Sequence, residues 1–103
     1  MNDKIEFLKT RRSIRKYQEK QITDKELETI LDVGTYAPTA MGKQAPIIVA
    51  VQDKETRDLL SKLNAAVMNG KADPFYGAPT VIVVFGKGDS GCCIQDASCV
   101  MSN

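Results

Sequence analysis

The fold class is decided by two apolar runs, of which the first is Ala45-Pro46-Ile47-Ile48-Val49-Ala50-Val51. Short runs rich in β-branched residues predict buried strands. A second run, from Thr80 to Phe85, predicts another such strand. Between them Asp53 is placed to cap a helix whose apolar stripe ends at Gly70 and consists of Leu59, Leu60, Leu63, Ala66 and Val67. Two strands flanking a helix make a βαβ unit, which predicts an α/β fold with a sheet covered by helices.

Two further helices are predicted before the first strand. One spans residues 3–10, with Ile5 and Leu8 on one side. The other begins at Thr23, which has Glu26 three residues later in the spacing of a capping box, and it should end before Pro38. The chain between these helices, residues 13–17, is predicted to be extended.

A last helix is predicted at the C-terminal end. Its apolar stripe consists of Cys93, Ala97, Val100 and Met101, and neither a capping glycine nor a basic last turn follows it. A frayed terminal helix would give the same pattern, but we favour a helix that is cut short. We therefore predict a single domain, residues 1–103, that is truncated within a helix.

Composition narrows the class of protein. With 43% hydrophobic and 26% charged residues the chain has the balance of a soluble globular protein, and its length allows a core that buries roughly two-thirds of the unfolded surface. Neither apolar run approaches the ~20 residues of a membrane helix, and the polar start is unlike a signal peptide. Three cysteines do not suit a secreted disulfide scaffold. We expect a cytoplasmic protein with no membrane partner.

Several kinds of catalytic site are excluded by residue type. The chain has no histidine, which removes histidine-dependent nucleophiles and two-histidine zinc sites. Cys92, Cys93 and Cys99 are one thiol short of a four-cysteine zinc site, and adjacent cysteines are poorly spaced as ligands. We predict no metal and nominate no catalytic side chain.

A basic run near the N-terminus is the strongest candidate for ligand binding. Residues 1–25 carry eight basic and four acidic groups, and the excess centres on Arg11-Arg12-Ser13-Ile14-Arg15. Alternate side chains of an extended chain share a face, so Arg11, Ser13 and Arg15 would project together and suit a phosphate. A solvated basic patch is the alternative. Nucleic acid is a poor candidate for the ligand, because the chain is nearly neutral and only one aromatic residue, Tyr17, lies near the basic run.

Two other stretches offer weaker signals. Gly86-Lys87-Gly88-Asp89-Ser90-Gly91 has the form G-x-G-x-x-G between a predicted strand and helix, as in a dinucleotide-binding turn. That turn usually follows the first strand, and its acidic partner, roughly 20 residues later, would fall beyond Asn103. An ordinary loop is the simpler interpretation. The small-residue stretch Ala37 to Gln44 indicates a plain connector or a close backbone approach.

Taken in order, these stretches resemble the motifs of nitroreductase-family flavoproteins. Residues Thr10 to Tyr17 resemble the opening motif of that family. The second motif is matched by Ile30 to Gly34, by Ala37 to Ala40 and by Gln44. The match continues through Phe75 to Thr80, Asp96 and Asn103, and so covers essentially the whole chain.

The resemblance implies a nitroreductase-like α/β fold (an α+β sandwich) with a central mixed sheet flanked by helices, here without its C-terminal part. It also implies an FMN-binding homodimer with the flavin at the dimer interface. The residues expected to hold FMN are Arg11, Arg12, Ser13 and Arg15, with Arg15 nearest the ring, then Pro38, Thr39, Ala40 and Gly42 from the partner subunit, and Asn69. The family commonly has asparagine in place of Gly42, and Gln44 is here followed by Ala45-Pro46 rather than directly by proline.

The function implied is that of an oxidoreductase that transfers hydride from NAD(P)H through FMN to a small electrophile such as a nitroaromatic or a quinone. Two alternatives stay open. In the first, the chain is a nicotinamide-dinucleotide-binding domain that uses Gly86 to Gly91. In the second, it is a non-catalytic piece of a flavoenzyme.

Overall fold

The computed structural model describes residues 2–89 and 91–103, and in that part of the chain it contains four α-helices and a two-stranded sheet. The elements are, in order, α1 (Asp3–Lys9), α2 (Asp24–Thr35), a short 3₁₀ turn (Ala40–Gly42), β1 (Ile47–Val51), α3 (Lys54–Val67), β2 (Val81–Phe85) and α4 (Cys93–Ser102). Every predicted helix and strand is present, with ends that differ from the prediction by a few residues at most. Over the described residues, no helix is long and apolar enough for a bilayer crossing.

The two strands pair antiparallel, with Ile48 opposite Val84 and Val51 opposite Val81. The predicted order of strand, helix and strand is present. The two strands run antiparallel, however, whereas those of a standard βαβ unit run parallel. Arg57 lies at the end of the pair where β1 ends and β2 begins: its guanidinium donates to the backbone oxygen of Gln52 at 3.1 Å and to that of Ala78 at 3.2 Å. These bonds tie the chain that leaves β1 to the chain that enters β2.

Two helices begin at the predicted capping residues. At α2 the hydroxyl of Thr23 accepts from the backbone N–H of Glu26, and the Glu26 carboxylate accepts from that of Thr23. At α3 the Asp53 carboxylate accepts from the backbone N–H and the hydroxyl of Thr56. These hydrogen bonds lower the pKa of Glu26, chiefly through the Thr23 backbone, and that of Asp53, chiefly through the Thr56 side chain. The local sequence therefore fixes both helix starts.

The core is small. In the described part of the chain the buried apolar residues are Ala37, Ala65, Val81 and Val100. Helix α2 approaches the sheet closely at Gly34, where a methyl group would lie 2.8 Å from Cδ1 of Ile48. An apolar groove of about 380 Å³ remains between α2, α4 and the sheet.

The prediction of buried strands is correct only in part, because β1 and β2 keep large apolar side chains in solvent. Ile47 is 63% exposed and Phe85 is 54% exposed. The accessible surface is 8513 Å², whereas a compact monomer of this mass exposes about 5,700 Å². The radius of gyration, 15.5 Å, also exceeds the ~13 Å typical of a compact 100-residue domain. A two-stranded sheet with this few packed helices leaves apolar faces uncovered, so the expected two-thirds burial is not reached.

The loop before β2 is organised by one carboxylate. Asp73 accepts hydrogen bonds from the Ser61 hydroxyl at 2.7 Å, the Phe75 N–H at 2.9 Å and the Gly77 N–H at 2.7 Å. These bonds hold a turn in which Tyr76 and Gly77 have left-handed backbone conformations. The bond from Ser61 contributes most to lowering the pKa of Asp73, and the Phe75 N–H adds to it. The ionised carboxylate therefore ties the returning loop to α3.

We expect Asp73→Asn to lower the free energy of unfolding by about 1 kcal/mol at pH 7, since an amide cannot accept all three bonds. Because the pKa of Asp73 is lower in the folded than in the unfolded chain, its stabilisation is complete above the unfolded pKa of about 3.9 and is lost as pH falls through the folded pKa. The unfolding free energies of the two proteins should converge on acidification, as measured by urea denaturation between pH 7 and pH 3. Asp89→Asn is the matched control, and a pH dependence unchanged by Asp73→Asn would contradict this account.

Candidate functional site

The basic run lies in a segment without regular secondary structure that joins α1 to α2. Residues 11–18 form neither helix nor strand, and every residue of this segment is exposed. Among the described residues, the guanidiniums of Arg11 and Arg15 take part in no hydrogen bond or ion pair. Arg12 differs, because its Nη1 donates to the backbone oxygens of Arg11 at 2.9 Å and Lys9 at 3.3 Å. Arg12 thus closes the end of α1, while Arg11 and Arg15 carry uncompensated positive charge.

The segment is anchored at its downstream end by Gln21. Its amide nitrogen donates to the backbone oxygen of Pro79 at 2.7 Å, and its amide oxygen accepts from the hydroxyl of Thr80. Gln52, at the end of β1, donates to the same hydroxyl at 3.0 Å. The segment with the basic run is therefore attached to α1 at one end and to the start of β2 at the other. Gln21 was not predicted, since a single glutamine before a helix cap gives no signal of a contact 58 residues away.

The predicted convergence of Arg11, Ser13 and Arg15 on one point stays a prediction. The non-helical backbone that it requires is present. Over the described residues, no hydrogen bond joins the basic run to the predicted second half of the pocket, Pro38 to Gly42.

The loop after α2 has an unusual backbone, with left-handed conformations at Met41 (φ 55°), Gly42 (φ 65°) and Gln44 (φ 51°). Side chains hold its shape. The Thr39 hydroxyl accepts from the backbone N–H of Gln44 at 3.0 Å, and the Gln44 amide donates to the backbone oxygen of Thr35 at 3.0 Å. Left-handed non-glycine residues cost about 1–2 kcal/mol each, so this loop is kept in a strained shape that its surroundings must maintain.

The same geometry accounts for the glycine at position 42. A Cβ atom there would meet nothing within 4 Å, so space is not the constraint. The constraint is the positive φ, which glycine adopts freely and asparagine tolerates better than most residues. Glycine in place of the asparagine that is common in the family therefore suits this backbone conformation and removes a side chain.

One buried carboxylate reaches this loop from α4. Asp96 is 5% exposed, and its Oδ1 accepts from the backbone N–H of Ala40 at 2.9 Å. Asn103, at the end of the same helix, donates to the backbone oxygen of Val33 at 2.6 Å. Helix α4 is thereby joined to the end of α2 and to the loop that follows. In the sequence Asp96 belongs to the family-like motifs, but no role was predicted for it.

Asn69 has a structural role at the end of α3. Its φ is 56°, and the N–H groups of Asn69 and Gly70 donate to the backbone oxygens of Ala66 at 3.2 Å and Ala65 at 2.9 Å. This is a Schellman ending. The left-handed position is filled by Asn69, so the expectation that Gly70 provides the cap is corrected by one residue. A contact between the Asn69 side chain and a flavin stays a prediction.

The alternative dinucleotide site finds little support. A methyl group at Gly86 would lie 2.7 Å from the backbone oxygen of Cys93, so this glycine permits close contact between β2 and α4. Gly88 and Gly91 have open space around them, and Ser90 lies outside the described residues. The dinucleotide-binding unit is built on parallel strands, whereas β1 and β2 are antiparallel.

Comparison with known proteins identifies the relatives of this chain. Residues 8–74 match the profile of the nitroreductase family. An NADPH-flavin oxidoreductase of Vibrio harveyi is 36% identical over 75 residues, which cover 71% of this chain and 31% of that protein. The chain spans between 25% and 45% of the length of its curated relatives.

Solved structures give the same result. A Bacteroides fragilis nitroreductase with bound FMN superposes with a TM-score of 0.86 at 26% identity, over 99% of this chain and 62% of the other. An FMN-dependent nitroreductase of Clostridium difficile superposes with a TM-score of 0.83 at 34% identity, over 95% of this chain and 56% of the other. The nitroreductase-like fold predicted from the sequence is confirmed.

The Schellman ending makes a prediction for position 69. Asn69→Ala should lower the free energy of unfolding by about 1 kcal/mol, because alanine resists the left-handed conformation. Asn69→Gly should preserve stability or raise it slightly. Chemical denaturation compares the two variants, with Met68→Ala as the control at the adjacent exposed position. Equal losses in both Asn69 variants would show that the side chain, and not the backbone conformation, matters there.

Proposed function

The chain belongs to the nitroreductase family, and on that premise we propose that it is the FMN-holding part of an NAD(P)H-dependent oxidoreductase. Its relatives bear names that agree with this role, among them an FMN reductase that uses NAD(P)H in Bacillus subtilis and the flavin oxidoreductase of Vibrio harveyi. Because the chain spans less than half of each curated relative, the activity of a whole enzyme forms part of the proposal.

The observation that carries the proposal is the state of Arg11 and Arg15. Both guanidiniums are exposed, both lack an internal anion among the described residues, and the segment that bears them is anchored by Gln21 and Arg12. Guanidinium groups form charge-assisted, bidentate hydrogen bonds with phosphate oxygens. An anchored chain with two uncompensated arginines and the Ser13 hydroxyl between them fits the phosphate end of FMN.

The loop Pro38 to Gly42 provides the second part of the proposed pocket. Apart from Met41, its residues are small or carry short side chains, so its backbone can approach a flat ring closely. We assign this contact to the flavin of the partner subunit, which makes the working unit a homodimer with FMN at the interface. Asn69 is a further candidate for ring contact, in addition to its role in ending α3.

FMN, when bound, supplies hydride transfer between a nicotinamide and a small electrophile such as a nitroaromatic or a quinone. The protein contributes position and charge. Arg15 is assigned the place nearest the ring, where its positive charge favours electron uptake, while Arg11, Arg12 and Ser13 orient the phosphate and ribityl end. The chain has no histidine, and the proposal requires no acid–base side chain from it. A cytoplasmic location completes the proposal.

A second candidate follows from the uncovered apolar surface. Ile47 and Phe85 are more than half exposed. In this second candidate function, the 103 residues on their own form a non-catalytic piece that holds FMN weakly or not at all. Dialysis of this chain against FMN, followed by measurement of flavin absorbance in the protein fraction, separates the two cases. Retained flavin supports a working pocket, whereas its absence supports the non-catalytic candidate.

The arginine assignment is tested by substitution. Arg11→Ala and Arg15→Ala should each weaken FMN binding by about ten- to a hundredfold, since a hydrogen bond to a charged group contributes about 1.5–3 kcal/mol. Titration of FMN fluorescence against protein measures the dissociation constant. Lys54→Ala is the control, because Lys54 is an exposed cation on α3 whose charge is paired with Asp58.

Gly88→Ala distinguishes the flavin site from the dinucleotide alternative. The proposal predicts that FMN affinity is unchanged in this variant, because a Cβ atom at Gly88 meets nothing within 4 Å. If Gly88→Ala removes ligand binding while Arg11→Ala leaves it intact, the site lies at Gly86 to Gly91 and the proposal is wrong.

A further inference from the structure

Asp96 is the buried charged residue of the described chain, with 5% of its surface exposed. Burying a carboxylate is unfavourable unless hydrogen bonds compensate for the lost hydration. Its carboxylate accepts a hydrogen bond from the backbone N–H of Ala40, at 2.9 Å and 56 residues away in sequence. A buried acid whose bond joins a helix to a distant loop therefore calls for an explanation beyond the packing of α4.

The bonded N–H belongs to the first residue of the 3₁₀ turn Ala40–Gly42. The first N–H groups of a helical turn have no carbonyl partner within the turn, and the side chain of the N-cap residue commonly accepts from one of them. Here the preceding residue is Thr39, which makes no capping bond, because its hydroxyl accepts from the N–H of Gln44 instead. Asp96 thus supplies from α4 the cap that the loop does not supply for itself.

The loop needs this support because its backbone is strained. Met41, Gly42 and Gln44 all have positive φ, and conformations of this kind persist only where the surrounding structure enforces them. The Gln44 amide holds the far end of the loop to Thr35, and Asp96 holds the near end. With both bonds in place, the backbone from Thr39 to Gln44 has one defined shape.

We propose that Asp96 is a positioning residue, which fixes the Thr39 to Gln44 loop in the shape that presents its backbone to the flavin. The inference rests on the proposed function, in which this loop contacts FMN. Asp96 itself does not touch the ligand. Its effect is transmitted through the Ala40 N–H, and the isosteric amide of Asp96→Asn retains an oxygen that can accept the same bond.

The first test needs no flavin. Trypsin cleaves after lysine, and Lys43 is exposed within the loop, so the rate of cleavage at Lys43 reports how firmly the loop is held. Asp96→Ala should raise this rate several-fold, and Asp96→Asn should restore it toward that of the wild type. Asn103→Ala is the matched control, because it removes a bond from the same helix to Val33 and leaves the loop bond intact. Equal cleavage rates in wild type and Asp96→Ala would overturn the inference.

The second test measures FMN affinity and the visible circular dichroism of bound FMN in the same variants. Asp96→Ala should weaken binding by about tenfold, the size expected when a charge-assisted hydrogen bond that orders a site is lost. It should also alter the dichroism of the ring, while Asp96→Asn and Asn103→Ala resemble the wild type. Parallel melting curves show whether a loss of affinity merely follows a loss of stability. Equal losses of affinity in Asp96→Ala and Asn103→Ala would assign Asp96 a general packing role and overturn the inference.

The two tests separate the inference from the proposed function. If the wild type binds FMN and Asp96→Ala binds it equally well, the positioning role is wrong and the proposed function stands. If the wild type fails to bind FMN, the proposed function is wrong and the flavin part of this inference falls with it. The proteolysis result then decides only whether Asp96 holds the loop.

Discussion

The hydrogen bonds of Arg57 tie together the two strand ends at the junction that the rest of the structure shares. This side chain donates to the backbone oxygens of Gln52, just after β1, and Ala78, shortly before β2. Nearby, the hydroxyl of Thr80 accepts a hydrogen bond from the Gln52 amide and donates one to the Gln21 amide oxygen. One polar cluster therefore connects the antiparallel sheet with the segment that carries the basic run.

The loops of the chain are held by specific hydrogen bonds, whereas much of its apolar surface is not buried. Its loops are held by specific bonds from Asp73, Gln44 and Asp96, while large apolar side chains such as Ile47 and Phe85 remain in solvent. Exposed apolar area of this extent is typical of surfaces that pack against further protein. In the proposed function, these uncovered faces and the flavin pocket would both take part in the contact between subunits.

Most of the fold was predictable because its signals are local. The capping box of Thr23 and Glu26 and the cap at Asp53 act within three residues, so they are legible in sequence and occur as predicted. The antiparallel pairing was not predictable, since the residues that pair, such as Val51 and Val81, lie far apart in sequence and no local pattern sets their direction. The Schellman ending was displaced from Gly70 to Asn69 because both residue types accept a positive φ.

The candidate site follows the same division. The basic run and the small-residue loop were recognised by residue type and by their resemblance to family motifs. What holds them in place, Gln21 for the first and Asp96 for the second, acts over more than 50 residues of sequence, and no local pattern encodes such bonds. The binding groups therefore stay a prediction from sequence, and the structure adds which side chains hold the segments that carry them.

The central claim is that the basic run holds the phosphate of the flavin. Parallel titrations of the unmodified protein with FMN and with riboflavin, which lacks the phosphate, test it most directly. The account predicts that FMN binds at least about tenfold more tightly at low salt and that added salt reduces the difference. Equal affinities for the two flavins at low salt would contradict it.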